Sequence, residues 1–145
     1  MSTRFGFVGT FPPTQCGLAT FTAALRGALL HSTTDEGWVV RLVDAFAPQP
    51  GGEVVAQLIA NDSASLHQAA AQLNQCDVAI LQHEYGVYGG ADGSEILHLL
   101  DEIQVPRVVV LHTVLTDPTP HQRQVLESVL AKADAVVAMT KTARE

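Results

Sequence analysis

The sequence predicts an α/β fold, a Rossmann-like parallel sheet with helices on both faces. Three observations predict it. Short apolar runs alternate with segments of helical periodicity; the runs are continuous, as in strands covered on both faces; and turn or capping residues separate the two kinds of segment. Strand, helix, strand in repetition calls for right-handed crossovers. With 145 residues, 47% hydrophobic and only 16% charged, the chain fits one domain with a real core and not a disordered tail.

Taken in order, residues 4 to 10 (RFGFVGT) read as the first strand. A helix follows over residues 17 to 31, where Leu18, Phe21, Leu25 and Leu29 share a face. Residues 38 to 46 (WVVRLVDAF) are the second strand, and residues 53 to 60 a less regular further candidate. Leu66, Ala69, Ala70 and Leu73 mark a helix over residues 63 to 75, ahead of a strand at 77 to 83 (DVAILQH). Asp92 with Glu95 has capping-box spacing before a helix carrying Ile96, Leu99, Leu100 and Ile103. Residues 106 to 113 (PRVVVLHT) form the next strand. Thr119, Pro120 and Gln122 supply a cap, a first-position proline and a reciprocal cap for a helix to about Lys132. Residues 134 to 140 (DAVVAMT) complete the set as a strand.

Composition narrows the function. The formal charge is −7 and the eight bases are scattered, so nucleic acid is not an expected partner. The apolar stretch after Arg4 is interrupted by Gly6, Gly9, Pro12 and Pro13, so neither a signal peptide nor a transmembrane segment is expected. Cys16 and Cys76 fit no paired motif and read as reduced thiols. These features together point to a cytoplasmic protein.

In an open parallel sheet, ligands bind outside the carboxyl ends of the strands, near the point where strand order reverses. With the order 3-2-1-4-5-6, that rule selects the loops at residues 10 to 17, 83 to 93 and 112 to 119. The first delivers Gly17 to a helix start, where free backbone N–H groups favour an anion; alternatively the glycine only permits a tight turn. The second, QHEYGVYGGADG, gathers His83, Glu84, Tyr85 and Tyr88 among Gly86, Gly89, Gly90 and Gly93, and is the densest polar, aromatic and flexible stretch in the chain. In the third, His112 ends VVVLH, where it would either donate a hydrogen bond to a sugar hydroxyl or a charged oxygen, or bond structurally to backbone.

Several chemistries drop out. The pattern GxGxxG is absent, Pro12 and Pro13 standing where it needs glycine, so Asp44 is not read as a ribose-binding acid. No GK[ST] occurs. HExxH fails because position 87 is Val87, and His31, His67, His98 and His121 lack ligand spacing. No metal and no cofactor is expected.

FPPTQCGLATFT at 11 to 22, QHEYGVYGG at 82 to 90, VVVLHT at 108 to 113 and ADAVVAMT at 133 to 140 together resemble the retaining, two-domain glycosyltransferases of family 4, which have the GT-B fold. The resemblance implies that residues 1 to 145 are the N-terminal, acceptor-side domain, with the C-terminal donor-binding domain absent. It implies that Gly17 lies near the donor phosphates and that His112 lines the donor-sugar site as the catalytic histidine. His83, Glu84, Gly89 and Gly90 belong to the branch-specific string and are its candidates for binding substrate or donor.

The implied partners are a nucleotide-sugar and a hydroxyl acceptor, with transfer of a hexose of mannose or glucose type and retention of configuration. A leaving diphosphate needs Arg, Lys or a metal, and the three loops contain no Arg or Lys. The chain therefore reads as half of an active site, inactive alone. The alternative is a non-catalytic nucleotide- or sugar-binding or interaction domain with the same fold.

Overall fold

The computed structural model describes residues 2–48 and 51–139, which form a six-stranded parallel sheet in the order β3-β2-β1-β4-β5-β6. In chain order the elements are β1 (Arg4–Gly9), α1 (Gly17–Leu30), β2 (Glu36–Val43), β3 (Val54–Ile59), α2 (Ser63–Leu73), β4 (Val78–His83), α3 (Glu95–Glu102), β5 (Arg107–Leu111), α4 (Pro120–Lys132) and β6 (Ala135–Ala138). The expected strand order is the observed one, and the less regular candidate at 53 to 60 is an edge strand, β3. The last residue expected in the final strand, position 140, lies outside the described residues.

The continuous apolar runs are explained by burial on two sides. Val8, Val40, Leu42, Ala79, Leu81, Val109 and Leu111 face α2, α3 and α4, whereas Phe7, Val39, Ile80 and Val110 face α1. Period-two alternation thus persists along each strand, but both faces are apolar. Each large side chain removed from water in this way contributes about 1.5–3 kcal/mol.

Two local expectations are corrected. Phe21 and Leu25 of the apolar stripe pack half-buried against the core, but the fully buried residues of α1 are Ala19 and Thr22, and Leu29 is exposed. The cause lies in β1: a Cβ at Gly9 would stand 2.8 Å from Thr22 Oγ1 and 3.0 Å from Gln82 Cγ, so the helix approaches the sheet where β1 lacks a side chain, and only small residues fit beneath it. The second correction concerns α3. Asp92 does not cap it; Asp92 sits at φ 54° inside a 3-10 turn at Ala91–Gly93, and its carboxylate bonds His121 Nδ1 of α4 at 2.7 Å. Glu95 accepts from the Asn61 backbone N–H, so tertiary partners have displaced the local box. At α4 the box forms as expected, with Gln122 N–H donating to Thr119 Oγ1 (3.1 Å) and Thr119 N–H to Gln122 Oε1 (2.9 Å).

Candidate functional site

The carboxyl ends of β1, β4 and β5 are neighbours, so the three selected loops converge. Register decides which side chains meet there. Gln82 pairs with Val110, and His112 lies two residues beyond Val110 on the same face, the face that α1 covers. The imidazole Nε2 of His112 is 2.5 Å from Gln82 Oε1, and the Phe21 ring of α1 stands nearly perpendicular to the imidazole with 4.6 Å between centroids. The His112 backbone N–H donates to the His83 carbonyl at 3.0 Å. Burial lowers the His112 pKa, with Glu84 opposing, so the ring is held toward its neutral form.

His83 points to the opposite face, is only 1% exposed, and packs edge-on against Tyr85 with 5.1 Å between ring centroids. Burial pushes its pKa down to about 4, against the attraction of Glu84. Its Nδ1, the Tyr85 hydroxyl and Gln82 Nε2 are buried with no hydrogen-bond partner among the described residues. Burial also raises the Tyr85 phenol pKa. Glu84 turns back on its own loop and accepts from the Gly86 N–H at 2.9 Å. This loop is tied down by Tyr88, whose buried hydroxyl donates to the Gln82 carbonyl at 2.6 Å.

Gly93 closes the same loop at φ 72°, where a Cβ would stand 2.7 Å from the Tyr85 carbonyl oxygen. Gly93→Ala is therefore expected to cost about 2 kcal/mol through backbone strain and clash. Chemical denaturation checks it, and an unchanged midpoint would show that the loop relaxes freely.

Gly17 is the first residue of α1, and a side chain there would meet nothing within 4 Å. It precedes Phe21 by about one turn on the same helix face, so the start of α1 and His112 share a wall. Cys16 caps the helix through its thiol, which accepts from the Ala19 N–H at 3.3 Å; the Thr10 hydroxyl beside it lowers its pKa. Gly89 and Gly90 are not brought to this group. A Cβ at Gly89 would collide with Glu95 and the Asn61 backbone, and Gly90 has φ 79° against Ser94, so packing accounts for both glycines.

The structure adds three residues that the sequence reading did not assign to the site. Gln82 stands in the sequence only as a member of DVAILQH and QHEYGVYGG, and Phe21 as one position of a helical face and of FPPTQCGLATFT. Arg41 is 4% exposed on β2 and donates from its guanidinium to Thr14 Oγ1 at 2.8 Å, placing a cation beneath the first loop although that loop contains none. A cavity of about 270 Å³ opens beside it, lined in part by Thr10, Thr14, Asp44 and Gly86. Among the described residues no group of three or more His, Cys, Asp or Glu is arranged to hold a metal, and no helix is long and apolar enough to cross a membrane.

No protein-family model and no curated protein matches the chain. Solved structures do. An alpha-glucosyltransferase in complex with UDP and a 13-mer DNA containing a HMU base matches with TM-score 0.63 and 18% identity, over 95% of this chain and 38% of that one. A complex with UDP and DNA containing a central A:G mismatch matches with TM-score 0.64 and 17% identity, over 97% and 38%. A third, with UDP-glucose and DNA containing an abasic site, matches with TM-score 0.63 and 18% identity, over 95% and 36%.

The exclusion of nucleic acid as a partner is overturned by these matches, since all of these structures combine the fold with bound DNA. The physical reason is that net charge averages over a whole surface, whereas phosphates are met by local cations. Most of each matched protein also lies outside the part this chain covers. What the matches establish for this chain is its fold: a parallel sheet flanked by helices on both faces, corresponding to one domain of a two-domain GT-B glycosyltransferase fold.

Proposed function

We propose that residues 1 to 145 are the N-terminal, acceptor-side domain of a retaining hexosyltransferase of family 4, whose C-terminal domain supplies most donor contacts. The observation that carries this is the fold shared over 95% of the chain with alpha-glucosyltransferases that hold UDP or UDP-glucose. The location of His112 supports it, at a strand end beside the start of α1. The C1–O bond to the diphosphate breaks, a new C1–O bond to the acceptor oxygen forms on the same face of the sugar, and the acceptor's hydroxyl proton passes to the departing diphosphate.

In this reading His112 contacts the donor sugar and the backbone at Gly17 lies toward the donor phosphates. His83 and Glu84 act from the adjoining loop, Glu84 as a nearby negative charge and His83 as a buried neutral ring. Gly89 and Gly90 shape that loop rather than touch the ligand. The cavity lined by Thr10, Thr14 and Asp44 offers room for an acceptor. The second domain supplies further cations for the leaving diphosphate.

The test is a transfer assay with the longer protein, using UDP-, GDP- and ADP-hexoses and both glycoside and hydroxyl-bearing DNA acceptors, with product configuration read by NMR. Transfer with retention is the expected result. Donor binding without transfer to any acceptor would instead favour the non-catalytic sugar-binding reading, and inversion would remove the family assignment. Residues 1 to 145 alone are expected to bind these donors weakly; tight binding would overturn the half-site picture.

A further inference from the structure

We propose that Gln82 is a positioning residue that holds the Nε2–H of His112, so that the ring offers the cleft a lone pair at Nδ1 and selects a hydroxyl donor over an anionic oxygen. The proposal rests on the reading of His112 as a donor-sugar contact and deepens it. An amide oxygen carries no proton, so the one shared between Gln82 Oε1 and His112 Nε2 is the ring's own. A neutral imidazole has a single N–H, which leaves Nδ1 as an acceptor. Among the described residues Nδ1 has no hydrogen-bond partner.

Gln82 is well held for this role. It is fully buried, its carbonyl takes the Tyr88 hydroxyl at 2.6 Å, and its Cγ lies against Gly9, where an added Cβ would already be at 3.0 Å. Phe21 sets the ring from the other side. The expectation that His112 would donate to a charged oxygen is thereby reversed, because its donor is already committed and its free nitrogen repels anions. The titratable groups whose fields couple to the ring are Glu84, one residue beyond β4, and His83, which points to the other face of the sheet, while α1 presents the apolar Phe21. Burial favours the neutral ring and so preserves the lone pair near neutral pH.

The experiment is ¹⁵N NMR of the histidine-labelled full-length protein, with the His112 signals assigned from their loss in His112→Ala. The expected spectrum has a pyrrole-like Nε2 and a pyridine-like Nδ1. Gln82→Met, which keeps the volume and removes the acceptor, should give a mixture of tautomers and roughly tenfold lower kcat with UDP-glucose. Gln82→Glu keeps the acceptor, so it should retain the tautomer and move the acid limb of the pH profile upward. Calorimetry should show UDP-glucose affinity falling as His112 protonates while UDP affinity does not.

An Nδ1–H tautomer in the unmodified protein, an unaltered tautomer in Gln82→Met, or UDP-glucose affinity that rises with acid would each overturn the proposal. If Gln82→Met does not fold, the unmodified and Gln82→Glu spectra decide. Failure of UDP-glucose to bind would count against the functional reading, while the tautomer spectrum still judges the role of Gln82.

Discussion

His112→Ala in the full-length protein is expected to lower turnover about a hundredfold, the scale set by removing one preorganised polar contact from a water-excluded site. The expectation follows from location: His112 is held between Gln82 and Phe21 at the end of β5, with one ring nitrogen free. The fold should survive, because His112 is only partly buried and lies beyond the strand it follows. Its removal frees Gln82 Oε1, a cost of about 1 kcal/mol in a denaturation midpoint. Steady-state kinetics beside a melting curve check both parts. Unchanged turnover would remove His112 from the proposed chemistry; a collapsed melting transition would mark it as structural.

Acid should destabilise the protein through His83, by roughly 3 kcal/mol in all. In the folded state burial holds its pKa at about 4, below the ordinary histidine value of 6.5. Between these values the unfolded chain binds a proton that the folded chain refuses, so stability rises with pH across this window. The contribution is intact above about pH 6.5 and is lost progressively as pH falls toward 4. Urea denaturation across that range measures it. His112 is depressed in the same direction, and the pKa of Asp134 is lowered by Arg107, so the slope of the unmodified protein is a sum. The difference between it and His83→Phe isolates His83. A variant with the same slope would show that His83 is protonated, or reached by water, in the folded state.

Legibility differed from element to element. The α4 cap was readable because Thr119, Pro120 and Gln122 satisfy one another within four residues. The Asp92 and Glu95 spacing was just as regular, yet Asp92 bonds His121 and Glu95 bonds the Asn61 backbone, partners 29 and 34 positions away. A local pattern holds only while no distant group makes a better offer. The apolar stripe of α1 was legible in part: Phe21 and Leu25 pack against the core as their spacing requires, but the bare backbone at Gly9 decided that Ala19 and Thr22 come closest to the sheet, and Leu29 is exposed.

The sequence by itself determined the fold class, the strand order expected of it and the loops that converge, because continuous apolar runs and helical periodicity are local consequences of burial. It also placed His112 at a strand end. Only the tertiary structure decided that His83 is buried away from that histidine's face, that Gly89 and Gly90 serve packing, and that Arg41 lies beneath a loop with no base of its own. It alone brought Gln82 to His112. That contact depends on the parallel register of β4 and β5 and on the close approach of α1, and neither is encoded in any short stretch of chain.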